Sequence, residues 1–513
     1  MTDVARPKVG APAPSVEHFR VAGSQPQIDW NGVSTIGAEA PFFETAPNPN
    51  ATRRMLLVFF YFAPSAEVGA LRWLSLARFG VERGWAVDVV TLHPRFMGTL
   101  DPSRLSQLPP GTRLFGFSGL EPVLYRTLLS AWQRLKRKPN GSATGAGMSG
   151  HLDGSDLAID GSPGDAPAWR RSMRSRMHFV LANRLTHRAA RLGTALAHKV
   201  AYDVVVSSGP PHAAHSAARM IAEAGGVPFV MDMRDPWSDA TAMPEELRSE
   251  TWARMAREDE HRCVSAANAV VVTSKAHEEL QLGKYPFLRG RVRTVMNGAD
   301  TDRLPASRVG RRFLVAFAGM IYLGRNPRAL FRAASTVARE TGATPEEFGV
   351  EFMGDDTCGG VPLATIAREE GLVEHFTAHG FRPRSEALEF LAAAAVLVSL
   401  PLRTTMTLPA KLFEYTRYDA WLLVLAESGS ATAELLRGTG ADIVEPNDEA
   451  AIAAALRKRF DEFRAGVRPV ALNRDGRFDR SVQSAVLFDL LDEVRARRVA
   501  GSAGTVSQTQ RTP

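Results

Sequence analysis

The stretch "RRMLLVFFYFAPSAEVGALRWLSLARFGVERGWAVDVVTL", residues 53–92, decides the fold. Its first part, "RRMLLVFFYFAP", is an apolar run closed by a proline, which reads as a buried strand. "GALRWLSLARFGVERG" follows, and Leu71, Leu74, Leu76 and Phe79 suggest one apolar helical face. The closing Arg83-Gly84 is a helix stop, and "WAVDVVTL" is a second buried strand. Together they form one β-α-β unit. The alternation resumes with "YDVVVSS" (202–208), a helical "AAHSAARMIAEAGG" (213–226), "VPFVMDM" (227–233), "NAVVVTS" (268–274) and "VRTVMNGAD" (292–300). A second set opens at "RFLVAFAGM" (312–320) and runs through "FGVEFMGD", "FTAHGF", "AAVLVSL", "WLLVLAE" and "ADIVEP". Short buried strands alternating with helices imply parallel sheets with right-handed crossovers. Two sets in tandem imply an α/β protein of two Rossmann-like domains facing a cleft.

Boundaries follow from composition shifts. Residues 1–52 are rich in Pro, Ala, Gly and Ser without a sustained period, so they are expected to be disordered. The first domain is expected over 53–304, interrupted at 137–167 by the low-complexity insertion "RKPNGSATGAGMSGHLDGSDLAIDGSPGDAP". The second is expected over 305–470, followed by a C-terminal helix over 471–497 and a polar, disordered tail over 498–513.

With 513 residues the chain is too long for one ordinary core. Its 45% hydrophobic and 23% charged residues are those of a soluble globular protein. The net charge of +7 leans toward anionic partners. Its basic residues are scattered and lack an aromatic-stacking motif, which argues against nucleic acid. Cys263 and Cys358 lie far apart, so neither a disulfide framework nor a zinc site is expected, and a cytoplasmic location fits. No apolar run approaches the ~18 residues of a spanning helix.

In open α/β sheets, ligands bind outside the carboxyl ends of the strands, so the polar residues there are the candidates. "SSGPPHAAH" (207–215) places His212 and His215 after a strand, with proline-fixed backbone before His212. Either a positioned hydrogen-bonding group or a packing role fits these histidines. "MDMRDPW" (231–237) puts Asp232 and Arg234 on one face of an extended segment. One reading is a buried Asp–Arg pair; the other gives Asp232 or Arg234 contact with an acceptor or its diphosphate in a wet cleft.

Taken in order, "YFAPSAEVGALRWLSLARFGVERGWAVDVVTLHP", "YDVVVSSGPPHAAH", "DMRDPW", "VMNGAD", "FAGMIYLGRNP" and "LPAKLFEY" resemble glycosyltransferase family 4, over roughly residues 55–465. These are retaining sugar-nucleotide transferases of the GT-B fold. The resemblance implies a retaining hexosyltransferase that uses a nucleoside diphosphate sugar and a lipid-linked or polysaccharide acceptor, in cell-surface polysaccharide biosynthesis. It implies a donor-facing loop at Gly69, where glycine permits close backbone approach. It also implies a donor site at Gly319, with Arg325 and Lys411 on the diphosphate and Glu414 on the ribose. His212, Asp232 and Arg234 fall to the catalytic, acceptor side. The earlier glutamate of the family's Glu-x7-Glu signature would fall at Met406, which departs from the pattern. No cofactor is expected: with Arg325 and Lys411 neutralising the diphosphate, and no Asp-x-Asp motif, the resemblance implies metal independence. Two other classes fit the same fold, a non-catalytic scaffold in a polysaccharide assembly complex and a sugar-nucleotide epimerase.

"WQRLKRK" (132–138) and "WRRSMRSRMHFVLANRLTHR" (169–188) combine tryptophan with clustered basic residues. Two readings fit: a helix that packs its apolar face on the sheet with solvated arginines outside, or a segment that brings an anionic membrane surface, the inner face of the plasma membrane, against Arg170, Arg171, Arg174 and Arg176.

Overall fold

The computed structural model describes residues 36–67, 69–119, 168–239, 249–300, 304–321, 325–400 and 405–509. Two parallel sheets organise it. The first contains β1 (Phe43–Glu44), β2 (Arg53–Val58), β3 (Trp85–Leu92), β4 (Thr112–Phe117), β5 (Val204–Gly209), β6 (Phe229–Met233), β7 (Ala269–Val272) and β8 (Val292–Thr294). Their spatial order is β1-β4-β3-β2-β5-β6-β7-β8, all parallel except β1. Strand order reverses between β2 and β5, the switch point where Rossmann-like sheets hold ligands. Every residue of β3 and β5 is buried, as expected for strands covered on both faces. That burial includes Asp88 in the middle of β3, whose carboxylate accepts from Arg54 (2.9 Å), Arg113 (2.8 Å) and the Tyr202 hydroxyl (2.7 Å).

The second sheet is built from β9 (Phe313–Gly319), β10 (Phe348–Gly354), β13 (Phe376–Ala378), β14 (Val396–Ser399), β15 (Trp421–Leu425) and β16 (Asp442–Val444), in the order β13-β10-β9-β14-β15-β16, wholly parallel. A small hairpin, β11 (Thr357–Cys358) with β12 (Val361–Pro362), follows β10. Alternation along β9 feeds two separate cores. Phe313, Val315 and Phe317 pack with helices Arg328–Thr341 and Glu449–Arg464, whereas Leu314, Ala316 and Ala318 pack with helices Arg384–Ala392, Ala410–Tyr415 and Ala431–Leu436.

The ordered fold begins before Arg53. Residues from Gly37 onward lie along the open edge of β4, where Gly37 N–H donates to Gly116 O (2.7 Å) and Phe42 N–H to Leu114 O (2.8 Å). Backbone groups at a sheet edge need partners, and this segment satisfies them despite its loop-like composition. At the other end, the last helix spans Arg480–Thr509, past the expected stop at 497. It returns to the first sheet: Phe488 meets Trp85, Asp492 pairs with Arg53, and Asp489 with Arg83 (2.6 Å). Gly80 leaves the room, because a Cβ there would lie 2.4 Å from the Phe488 ring. The expected insertion at 137–167 and the "WQRLKRK" motif lie outside the described residues.

The chain thus crosses between the sheets twice, and the crossings are tied together. Ala299 N–H donates to Phe478 O (2.7 Å) and Arg480 N–H to Ala299 O (2.8 Å). Gly298, at φ +66°, lets the backbone of Arg480 approach; a Cβ would sit 2.8 Å from its Cα. The Arg480 guanidinium donates to Asn297 O (2.9 Å) and Ser75 Oγ (2.9 Å) and pairs with Asp300 (2.7 Å). "VMNGAD", one of the motifs of the family resemblance, is this crossover.

Asp232 explains much of the first domain's geometry. It is fully buried at the end of β6 and accepts three hydrogen bonds, from Arg72 Nη2 (3.2 Å), Trp73 Nε1 (2.8 Å) and Ser208 Oγ (3.0 Å). Arg72, 4% exposed, also donates to Val295 O (3.0 Å) and Met296 O (2.8 Å). The placement of Asp232 in a wet cleft is therefore corrected: its charge is tolerated because it is paired in a dry interior. One ion pair joins helix Gly69–Glu82, β5, β6 and the first crossing.

Removing one partner of such a pair strands a buried charge. Asp232→Ala is expected to lower the unfolding free energy by about 3–5 kcal/mol, and Asp232→Asn, which keeps an acceptor for Trp73, by less. Urea unfolding measures both; an Asp232→Ala loss below about 1 kcal/mol would put Asp232 in the range of an exposed pair.

Candidate active site

At the switch point of the first sheet, β5 ends at Gly209 and Pro210-Pro211 follows, with cis peptides before both prolines. Arg234 is half-buried beside it. Its Nε donates to Gly209 O (3.2 Å), its Nη2 to Pro210 O (2.9 Å), and the guanidinium lies over the Phe59 ring at 5.2 Å. Gly69, the first residue of its helix, completes the enclosure. A Cβ there would be 2.4 Å from Arg234 Nη1, so glycine is what admits the guanidinium. Arg234 and the amino end of a helix thus share one corner, where both favour an anion.

His212 follows the prolines directly. Its ring stacks on Trp237 with centroids 5.0 Å apart and planes 12° apart, and His215 is 5.5 Å away. Desolvation, with His215, Arg234 and His277 nearby, holds the His212 pKa well below the usual 6.5. The ring is neutral at physiological pH, with a buried Nδ1 that has no hydrogen-bond partner among the described residues. His215 is fully buried; Ser207 Oγ meets its Nδ1 at 2.7 Å, and burial pushes its pKa down to about 3. Each histidine keeps one buried nitrogen without a partner among the described residues, Nδ1 of His212 and Nε2 of His215; His212 is the less buried of the two rings.

The "MDMRDPWSD" loop is held from behind. Ser238 N–H donates to the buried Glu260 carboxylate (2.9 Å), Lys284 Nζ to Ser238 Oγ (3.1 Å), and Thr273 Oγ1 to Arg234 O (2.7 Å). Sequence reasoning passed over Glu260 and the Trp237 stack. Trp237 stood inside the quoted motif, whereas nothing in the local sequence ties Glu260 to a loop 22 residues away.

The second sheet's switch point lies at the end of β9. Gly319 has φ +130°, and a Cβ on it would fall 1.2 Å from Lys411 Nζ. The Lys411 ammonium therefore rests directly on the strand end, 5.1 Å from the centre of the Phe317 ring. Burial and then the Arg325 charge push its pKa down to about 7, against the opposing pull of Glu414 and Asp355. Arg325 is 7% exposed and donates to Met320 O (2.6 Å). Gly354, at φ +124°, backs the strand end, where a Cβ would lie 2.4 Å from Gly319 O. Asp355 then accepts from Ile321 N–H (2.7 Å). Glu414, on the same short helix as Lys411, lies 3.4 Å from Arg384. Gly319, Arg325, Lys411 and Glu414 thus meet at one point. Asp355 was missed, although a polar residue just past a buried strand is a signal that could have found it.

The two carboxyl ends face each other. Ser274, past β7, donates through Oγ to Met406 O, past β14 (2.5 Å), and Asn297 Nδ2 reaches Leu408 O (3.4 Å). Gly69, His212 and Arg234 sit on one side, and the Lys411 cluster on the other. Asp232 belongs to neither, being sealed behind Arg72 and Trp73. Among the described residues, no cluster of three or more His, Cys, Asp or Glu is placed to hold a metal ion.

No protein-family model and no curated protein matches the sequence. Solved structures do match in shape. A sucrose-phosphate synthase from Thermosynechococcus elongatus aligns over 87% of this chain and 100% of its own, with a TM-score of 0.54 and 13% identity. HepE from Anabaena, solved with UDP and glucose, aligns over 86% and 100%, with a TM-score of 0.53 and 13% identity. An α,α-trehalose 6-phosphate synthase from Burkholderia multivorans aligns over 90% and 99%, with a TM-score of 0.50 and 15% identity. At these identities the likeness is one of fold. Two Rossmann-like sheets with opposed carboxyl ends and a C-terminal helix that crosses back give this chain the GT-B fold of those glycosyltransferases.

Proposed function

We propose that the chain is a retaining, family-4-like hexosyltransferase that takes its sugar from a nucleoside diphosphate sugar. The observation that carries this reading is the Lys411 ammonium lodged on Gly319 beside Arg325. Two cations brought together at a switch point repel each other, and a diphosphate relieves that repulsion. HepE, solved with UDP and glucose, supports the same ligand class. In this reading Arg325 and Lys411 bind the diphosphate, and Glu414 accepts from the ribose.

The chemistry follows from those positions. The bond from the anomeric carbon to the diphosphate oxygen breaks, and the acceptor oxygen bonds to the same face of that carbon. The acceptor proton passes to the departing phosphate oxygen. Arg325 and Lys411 stabilise the charge that develops there, the role a metal fills in other transferases. Across the cleft, neutral His212 hydrogen-bonds a sugar hydroxyl, and Arg234 orients the acceptor. The acceptor is a lipid-linked or polysaccharide precursor in cytoplasmic assembly of a surface glycan.

Screening nucleoside diphosphate sugars by thermal shift identifies the donor, since a ligand at about 100 times its Kd stabilises by roughly 2.7 kcal/mol. With that donor, Lys411→Ala and Arg325→Ala are each expected to lower kcat by about 10²–10³; wild-type turnover in both would refute the donor site. His212→Ala is expected to lower kcat/KM by about ten- to a hundredfold through one lost hydrogen bond to the donor sugar, with affinity for the nucleoside diphosphate alone unchanged. Loss of affinity for the nucleoside diphosphate itself would move His212 out of the sugar site. Absence of any donor binding would favour the scaffold reading, and an isomerised sugar nucleotide formed without acceptor would favour the epimerase.

A further inference from the structure

Helix Ala168–Lys199 is longer than its sheet requires. It runs antiparallel to the strands, and two contacts fix its level. Thr186 Oγ1 donates to Ala213 O (3.2 Å), at the start of the helix after β5, and Arg188 donates to Ser118 O (3.3 Å), just past β4. Residues near 186–188 are therefore level with the carboxyl ends of the strands. At about 1.5 Å per residue, the part before Thr186 extends roughly 27 Å beyond them, on the side of Gly69, His212 and Arg234. Its inner side is held by Ser172 and Ser175, which bond Thr251 (2.6 Å) and Ser249 (2.8 Å) at the start of helix Glu250–Ala266.

The outer side is apolar and exposed: Trp169 61%, Met173 59%, Met177 43% and Val180 53%. Spacings of four, four and three place them in one stripe. Arg176, Arg184 and Arg191 are exposed along the same face, and the helix carries seven arginines and no acidic residue. The basic contacts expected from sequence shift accordingly: Arg171 and Arg174 are half-buried off this face, and the side chain of Arg170 lies outside the described residues.

We propose that this projecting face docks on an anionic membrane surface, with Trp169, Met173, Met177 and Val180 below the headgroups and Arg176 and Arg184 on their phosphates. Charge complementarity selects that occupant, because a face of arginine, tryptophan and methionine without one carboxylate matches an anionic interface. The inference deepens the glycosyl-transfer reading and rests on it for one point, the acceptor. Docking there sets the His212 side of the cleft against the bilayer, within reach of a lipid-linked acceptor. Among the described residues, no helix is long and apolar enough to cross a membrane, so contact is at the surface.

Co-sedimentation of the full chain with vesicles tests this. Binding is expected to vesicles containing phosphatidylglycerol at low salt, with release at high salt and little binding to phosphatidylcholine alone. The double variants Met173→Ser/Met177→Ser and Arg176→Glu/Arg184→Glu are each expected to lower the partition coefficient by about tenfold or more. Both should keep the wild-type melting temperature and affinity for the donor in solution. Equal pelleting with neutral vesicles, no pelleting at low salt, or undiminished binding by both variants overturns the proposal. So does self-association that the methionine variant abolishes, which would assign the stripe to a second copy. If vesicle binding follows this pattern while no sugar nucleotide binds, the docking surface stands and the glycosyl-transfer reading fails.

Discussion

The buried pair between Asp232 and Arg72 is the contact on which the rest of the molecule depends. Asp232 ends a central strand, and Arg72 lies on the helix that opens the domain. Through Val295 and Met296 the same guanidinium grips the strand-to-linker segment leading into the second domain. Gly69 and Arg234, three residues before Arg72 and two after Asp232, inherit their positions from it. A dry ion pair of this kind is worth little against a hydrophobic replacement, but it is unforgiving of the loss of one partner. That asymmetry suits a frame that must hold a cleft in one geometry.

The second domain uses charge in the opposite way. Asp232 is fully satisfied, whereas Lys411 is left beside another cation at a strand end from which glycine has removed every side-chain obstacle. Glu414 and Asp355 offset that crowding only in part, and under the proposed function an anion completes the offset. The crossover between the domains, with Arg480 spanning Asn297, Ser75 and Asp300, ties both chain crossings together at one place.

Much of this was legible in the sequence. Buried strands separated by helices predicted both sheets, because a strand covered on both faces must be apolar along its length. Gly319, Arg325, Lys411 and Glu414 were named through the family resemblance of an ordered series of motifs, and the fold brings them together at one strand end. Asp232 was not. The reading that gave it solvent and an acceptor could not see its partner, 160 residues earlier on a helix whose other residues spell an ordinary apolar face. Edge strand β1 was hidden for a similar reason: its backbone bonds to β4 hold it, not its side chains. "VMNGAD" carries a glycine that admits backbone, which in sequence looks like one that admits phosphate.

The central claim is that Lys411 awaits an anion, and proton linkage measures it directly. A diphosphate beside Lys411 raises its pKa from about 7, so binding at about pH 8 must draw a proton onto an amine that is mostly neutral beforehand. Calorimetric titration of the protein with the donor sugar nucleotide, whose diphosphate does not itself titrate near neutrality, is run in buffers of different ionisation enthalpy. Uptake approaching one proton is expected, with affinity falling as pH rises above about 7, and neither is expected in Lys411→Arg, which stays charged throughout. Tight donor binding by the wild-type protein with no proton uptake would contradict the claim and place the diphosphate away from Lys411.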